Sequence, residues 1–411
     1  MDLNSETAIW LAIVGAVAVP AILLLRSGRR DILPYLAAFF AYFSLGPAVN
    51  FALGNEIYSG IVQSKIGQAL VGILLALIGM LVVGLLVPAR RTAMDRSRLR
   101  NAERRYHFPP FLFLGLASYA LVVMLMQGPA GFTGDKLERI ELSGPWHYKY
   151  LLLQTLACAL YFTATTRFGR VAYWTNFACY VGYCLVTNER DFIFMAFSLL
   201  LHIQLFRRRP MSLRLGLAGG TGIVGAVFLS YLRDPTNDEG VSRALNEGST
   251  LFPDTFVMAL VPHLTPYAYG ETYLRSLINL VPGVPSQSLA EWLVEAYNPG
   301  SDYGYGFSLT AEAYLNFGLV GIPVLFAALA LVQRLLVNRV DQGHFWAYAS
   351  ILFTATWMYQ FRGESLAMVA TLTYGAVLFG VVRLLSTPAP AAPSADGRPV
   401  RQASPASPAT R

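Results

Sequence analysis

Charge is scarce in this chain. Only 13% of its 411 residues are Asp, Glu, Lys or Arg, against 55% hydrophobic, whereas a soluble domain carries about 25% charge. That shortage excludes one large soluble core. Cysteine is scarce too: Cys158, Cys179 and Cys184 are the three present. All lie in apolar runs without CxxC or Cys/His spacing, which supports neither a disulfide framework nor a zinc site. They read as small apolar packing residues. The sequence also lacks HExxH, acid pairs of the DxD kind and a serine in a nucleophile-elbow context, so metal-free chemistry without a cofactor is expected. The start, Met1-Asp2-Leu3-Asn4-Ser5-Glu6, has no basic residue ahead of its apolar run. This argues against a cleaved signal peptide and for an anchor whose acidic start is translocated.

What is abundant is long apolar sequence. Runs near 20 residues with few charges are transmembrane helix candidates, and eleven occur, at roughly 8–25, 32–53, 65–87, 110–127, 149–166, 171–187, 191–206, 212–232, 306–333, 344–360 and 365–385. Helices are expected because lipid-exposed backbone must satisfy its own hydrogen bonds. Orientation follows from Lys and Arg. With the N-terminus outside, 22 of the 31 basic residues fall in inner loops, and the positive-inside rule selects that topology. It places the C-terminus in the cytoplasm. The net charge of +7 is thereby explained by membrane orientation rather than by nucleic acid. The basic 89–107 loop is read as topological, with anionic lipid as the alternative. Residues 386–411, rich in Pro, Ala and Ser, form an expected disordered tail behind a single transmembrane domain, 1–385.

Gly220-Thr221-Gly222-Ile223-Val224-Gly225 matches GxGxxG but sits in an apolar run with no preceding strand, so a dinucleotide reading fails its context. Close helix packing explains it better. His202, within another apolar run, reads as a packed interhelical residue.

The long outer segment, about 233–305, reads as structured. Ser286-Gln287-Ser288 can cap a helix whose Leu289, Trp292, Leu293 and Ala296 recur at helical spacing, with Glu291 and Glu295 toward water. Five arginines are expected at this face: Arg190, Arg233, Arg243, Arg275 and Arg362. Arg190 and Arg362 occupy very short hairpins between helices, where charge is costly unless paired or functional. A guanidinium fork matches phosphate oxygens, so these residues either clamp a lipid-linked pyrophosphate or pair locally, Arg190 with Glu189 or Asp191 and Arg362 with Glu364. Glu312, about two turns into the helix starting near Gly306, is a candidate base for a sugar hydroxyl. Its alternative is a helix-terminus carboxylate bound to arginine. Asp191, Glu271 and Glu364 compete for the base role. His263, beside Pro262, is either a substrate contact or a plain loop histidine.

Glu312-Ala313-Tyr314-Leu315-Asn316-Phe317-Gly318-Leu319-Val320-Gly321 resembles the E-x-Y-x-N-F-G-x-x-G signature of the Wzy-type O-antigen polymerases, also called oligosaccharide repeat unit polymerases. Tyr269-Gly270-Glu271-Thr272-Tyr273-Leu274, followed by Asn279-Leu280-Val281-Pro282, resembles that family's G-E-x-Y segment and its proline. Asn188-Glu189-Arg190-Asp191-Phe192 resembles its arginine at a helix start, and Phe361-Arg362-Gly363 its arginine-glycine before the last helix. The resemblance spans roughly 185–380; the first half is similar only in being hydrophobic.

The resemblance implies an all-α polytopic glycosyltransferase of GT-C-like architecture in the bacterial inner membrane, with one large periplasmic loop containing short helices. Its substrates would be undecaprenyl-pyrophosphate-linked glycans, with membrane lipid around it and a chain-length regulator left open as a partner. Arginines that neutralise a departing pyrophosphate can replace a metal. Glu312, Arg275 and Arg362 would then be catalytic. Arg190, Arg233, Arg243, His263, Tyr273, Tyr314 and Asn316 would bind substrate. The rivals are an O-antigen ligase, which His263 keeps alive, and a lipid or polysaccharide transporter, which would place charged or broken helices near the midplane.

Overall fold

The computed structural model describes residues 5–28, 30–52, 61–90, 94, 99, 104–128, 136–187, 189–207, 250–281, 284, 287–299 and 306–388. Arg233, Arg243, the apolar run 212–232 and the tail beyond Pro388 lie outside them. The helices are α1 (Ser5–Ser27), α2 (Leu33–Ala52), α3 (Ile66–Leu86), α4 (Phe108–Gln127), α5 (Lys136–Ser143), α6 (His147–Ala159), α7 (Arg167–Val186) and α8 (Asp191–Leu205). They continue as α9 (Leu251–Leu260), α10 (Glu271–Ile278), α11 (Leu289–Tyr297), α12 (Leu309–Val337), α13 (His344–Gln360) and α14 (Ser365–Leu384). Among the described residues the strand structure is one antiparallel pair, β1 (Arg104–Arg105) with β2 (Thr387–Pro388).

Local chemistry sets several helix starts. Pro109 and Pro110 open α4, where a missing N–H costs nothing. Thr166 caps α7 by accepting the Gly169 N–H at 2.9 Å. Ser288 and Glu291 form a reciprocal capping box on α11. Leu293 of α11 is buried, Leu289 and Trp292 are half-buried, and Glu291 and Glu295 are exposed, as the sequence spacing predicts, whereas Ala296, expected on the same stripe, is exposed.

Six stretches are long and apolar enough to cross a membrane: Thr7–Ser27, Leu33–Ala52, Gln63–Leu86, Phe108–Gln127, Leu309–Gln342 and Ser365–Leu384. The chain is a multi-pass membrane protein on this ground. Four other expected spans are helical but do not meet the same measure among the described residues. The run at 149–166 leaves the α-helix after Ala159 for a 3-10 turn, Leu160–Thr163. Helix α7 carries Arg167, Arg170 and Asn176, while α8 and α13 have 15 and 17 residues. Trp10, Val14 and Val17 of α1, Leu125 and Met126 of α4, and Val377 and Leu384 of α14 are exposed apolar side chains, as expected where lipid is the solvent.

Helix α12 packs along α3, α4 along α7, and α13 against α8 and α14. Gly79 makes the α3–α12 approach close, because a Cβ there would collide with the Pro323 carbonyl oxygen. An aromatic cluster ties α2 to the rest: Phe40 meets Phe326 at 4.7 Å and Phe361 at 5.1 Å between ring centroids. Cys158 and Cys184 are buried, Cys179 is half-buried and all three are free thiols. His202 bonds the Ser198 carbonyl and the Ser350 hydroxyl, both at 2.7 Å, and so joins α8 to α13.

One end of the bundle is closed by ion pairs. Arg334, late in α12, meets Asp31 at 3.0 Å with both side chains almost fully buried. Arg90 meets Asp341 at 2.6 Å. Removing one partner of a buried pair strands the other's charge, at about 3–5 kcal/mol, whereas replacing both by apolar groups is often neutral. Asp31→Ala is therefore expected to lower unfolding stability in detergent by about that amount, and Asp31→Leu with Arg334→Leu to recover most of it; chemical denaturation of the purified variants measures both.

Candidate active site

The opposite end of α12 is built differently. Ser308 caps the helix, accepting the Ala311 N–H at 2.9 Å and donating to Asp254 of α9. Four residues later Glu312 is 1% exposed. Its Oε1 accepts from the Thr272 hydroxyl at 2.9 Å and the Ser365 hydroxyl at 2.6 Å, and its Oε2 accepts from the Ser365 N–H at 2.7 Å. One carboxylate thus joins α10, α12 and α14. The guanidinium partner considered for it in the sequence is not what holds it; hydroxyl and amide donors do.

Asn316 completes the knot. Its side-chain amide donates to the Thr272 hydroxyl at 2.7 Å and to the Glu312 carbonyl at 2.8 Å, and its Oδ1 accepts the Gly270 N–H at 2.8 Å. The helix then breaks at Phe317 and Gly318, with Gly318 at φ 62°. The break releases two carbonyls from helical pairing. Leu315 and Asn316 receive the Ala268 and Tyr269 N–H groups at 2.9 and 3.1 Å. Tyr269 and Gly270 enter α10 with φ of 46° and 93°, a conformation uncommon for a tyrosine, and Asn316 bonds both of their N–H groups. The two sequence segments singled out by resemblance are therefore one hydrogen-bonded unit.

That unit borders a cavity of about 250 Å³ whose walls include Tyr267, Glu271, Arg275, Trp292, Glu312 and Glu364. Arg275 pairs with Glu271 at 2.6 Å on its exposed rim. Glu364 accepts the Leu289 N–H at 2.5 Å. Burial, reinforced by the Glu312 and Glu291 charges and offset in part by that hydrogen bond, pushes its carboxyl up to about 7. The turn carrying Glu364 is fixed by Phe361, buried between Phe40 and Trp357.

The other expected site residues are dispersed. Arg362 lines a second cavity, which shares no wall residue with the first. It makes no ion pair with Glu364, which is turned the other way. Arg190 is half-buried at the start of α8. Arg275 and Arg362 thus border separate cavities, and no single cluster of the described arginines surrounds one point. Tyr314 accepts from Gln68 Nε2 at 2.8 Å and ties α12 to α3. Tyr273 lies half-buried on α10. His263 is exposed in the turn after α9 and lines neither cavity. Sequence reasoning missed Ser365 and Thr272, the donors to Glu312; their one local signal is that each directly follows a glutamate. It also missed His147, whose ring lies 3.4 Å from Glu189 and 2.9 Å from the Tyr183 hydroxyl. Among the described residues no group of three His, Cys, Asp or Glu side chains could hold a metal.

Residues 247–387 match the model of the O-antigen polysaccharide polymerase Wzy family. The match covers about a third of the chain, from just before α9 to β2. Every wall residue of the first cavity falls inside it. No curated protein and no solved structure matches the chain.

The pH dependence of stability follows from Glu364. Its carboxyl is raised above the usual value of 4.5, so the protonated form is the one the fold favours. Stability from this group is full below pH 4.5 and is lost as pH rises through about 7. Thermal unfolding between pH 5 and 8 is expected to show a decline in the wild type and a flatter profile in Glu364→Gln.

Proposed function

We propose that the chain joins undecaprenyl-pyrophosphate-linked oligosaccharide repeat units into a longer glycan at the periplasmic face of the bacterial inner membrane. The single observation that carries this reading is the coincidence of family match and geometry: the matched stretch contains the whole Arg275–Glu364 cavity and the Glu312–Asn316 unit that borders it. The remaining expectations accompany it: about eleven spans in a GT-C-like arrangement, a periplasmic N-terminus, a cytoplasmic C-terminus and no metal.

The chemistry asks three things of the site. A sugar hydroxyl of the acceptor must lose its proton, its oxygen must form a bond to the anomeric carbon of the donor, and the bond from that carbon to the pyrophosphate must break. Glu364 serves as the base in this reading, supported by its position in the cavity wall and by a carboxyl pushed up to about 7, where a general base is most effective. Glu312 has both oxygens engaged and acts as the residue that positions the others. Arg275, on the rim, meets the leaving pyrophosphate, exchanging its bond to Glu271 for phosphate oxygens. Pyrophosphate is already a good leaving group, so no strong acid is needed. The ligase alternative drew on His263, which lies outside both cavities.

Arg275→Ala and Glu364→Gln, each still inserted at wild-type level, are expected to slow chain growth about 10²-fold or more. Cells carrying them would display single repeat units on gels of surface glycan; ladders of normal length would remove both assignments.

A further inference from the structure

The turn between α13 and α14 has two working faces. Glu364 and Leu366 face the first cavity, whereas Gln360, Arg362 and Ala367 face the second. This second cavity, of about 290 Å³, lies between α6, α8, α13 and α14. Its volume is close to the lower limit of roughly 300 Å³ for ligand sites, suited to one ring rather than a whole oligosaccharide. Its deeper wall is apolar, with Leu151, Phe194 and Met195, and its polar groups include Tyr148, Glu189, Asp191 and Tyr359 beside Arg362.

Two carboxylates outnumber the one guanidinium, so the lining disfavours a pyrophosphate. Carboxylates accept from hydroxyls, a guanidinium donates to them, and tyrosine rings present flat apolar faces; together these fit an uncharged polyol ring. The acid is held in place: His147, 1% exposed, bridges Glu189 and the buried Tyr183 hydroxyl. A separate observation points to a ligand. Thr356 lines this cavity and is 4% exposed, yet its hydroxyl has no hydrogen-bond partner among the described residues. A buried hydroxyl left unpaired is costly; this one has no surface open to the cavity as it stands, and rotation about the Thr356 Cα–Cβ bond would bring it to the cavity that the residue lines.

We propose that the Glu189–Asp191–Arg362 cavity is a sugar subsite that holds an acceptor ring behind the one that reacts, with the glycan crossing the α13–α14 turn between the two cavities. This rests on the polymerase reading, since joining two glycans requires the acceptor to be gripped away from the phosphate-contacting cavity.

The test uses the full chain in lipid nanodiscs. Its probes are the repeat-unit oligosaccharide released from the host's own surface glycan, free of lipid and phosphate, and inorganic pyrophosphate. Thr356→Val and Asp191→Asn are expected to weaken oligosaccharide binding about tenfold or more, as loss of a buried hydrogen-bonding partner does. Thr356→Ser should restore it, which separates a lost hydroxyl from a damaged fold. Arg275→Ala should leave it in place while weakening pyrophosphate. Oligosaccharide binding that is undetectable in the wild type, indifferent to Thr356→Val and Asp191→Asn, or lost in Arg275→Ala alone would overturn the subsite. The same nanodiscs supplied with lipid-linked repeat units separate the two readings. Elongation with Thr356-independent binding sinks the subsite and spares the polymerase. Thr356-dependent binding without elongation does the reverse.

Discussion

A carboxylate buried in apolar surroundings must be given donors, and the candidate site follows from how Glu312 obtains them. Two hydroxyls and one backbone N–H supply its three bonds. Hydrogen bonds to charged groups contribute about 1.5–3 kcal/mol each, and losing one in a buried place costs more than its net contribution suggests. Because the donors are Thr272 and Ser365, the bonds fix α10 and the start of α14 onto α12. Asn316 and the broken turn at Phe317 and Gly318 attach the 268–270 backbone to the same helix. The cavity and the orientation of the α13–α14 turn depend on this unit.

The two ends of the bundle divide the polar work. Glu312 and Arg334 lie in the first and last turns of α12, a helix within the stretch long enough to cross a membrane. At the Arg334 end, buried and half-buried ion pairs neutralise charge locally. At the Glu312 end, acids, hydroxyls and two arginines surround two cavities. The apolar side chains left exposed between belong against lipid, and the proposed chemistry then falls at a membrane boundary rather than at its centre.

Much of this was legible in the sequence. The long apolar runs, the capped helix at Leu289–Tyr297 and the packed His202 follow from periodicity and local polarity. The motif residues Glu312 and Asn316 were readable as special, and so was the segment around Glu271. Their union was not, because the bonds that join them depend on a helix break that the apolar pattern of α12 hides. Nor did the sequence tell which cavity Arg275 and Arg362 would border, because lateral packing alone decides it. Hydropathy likewise does not tell a span from a buried helix at α8 and α13, since burial against other helices and immersion in lipid call for similar side chains. His147 and Glu189 lie 42 residues apart, with nothing in their spacing to pair them.

Hydrogen exchange on the Glu312→Gln variant tests the central claim most directly. A glutamine places an amide donor where three donors already converge. If Glu312 holds the site together, deuterium uptake should rise at 267–276 and at 361–366 in parallel, while the Arg334 end keeps its protection. Uptake that changes within 309–317 alone, or nowhere, would contradict that claim.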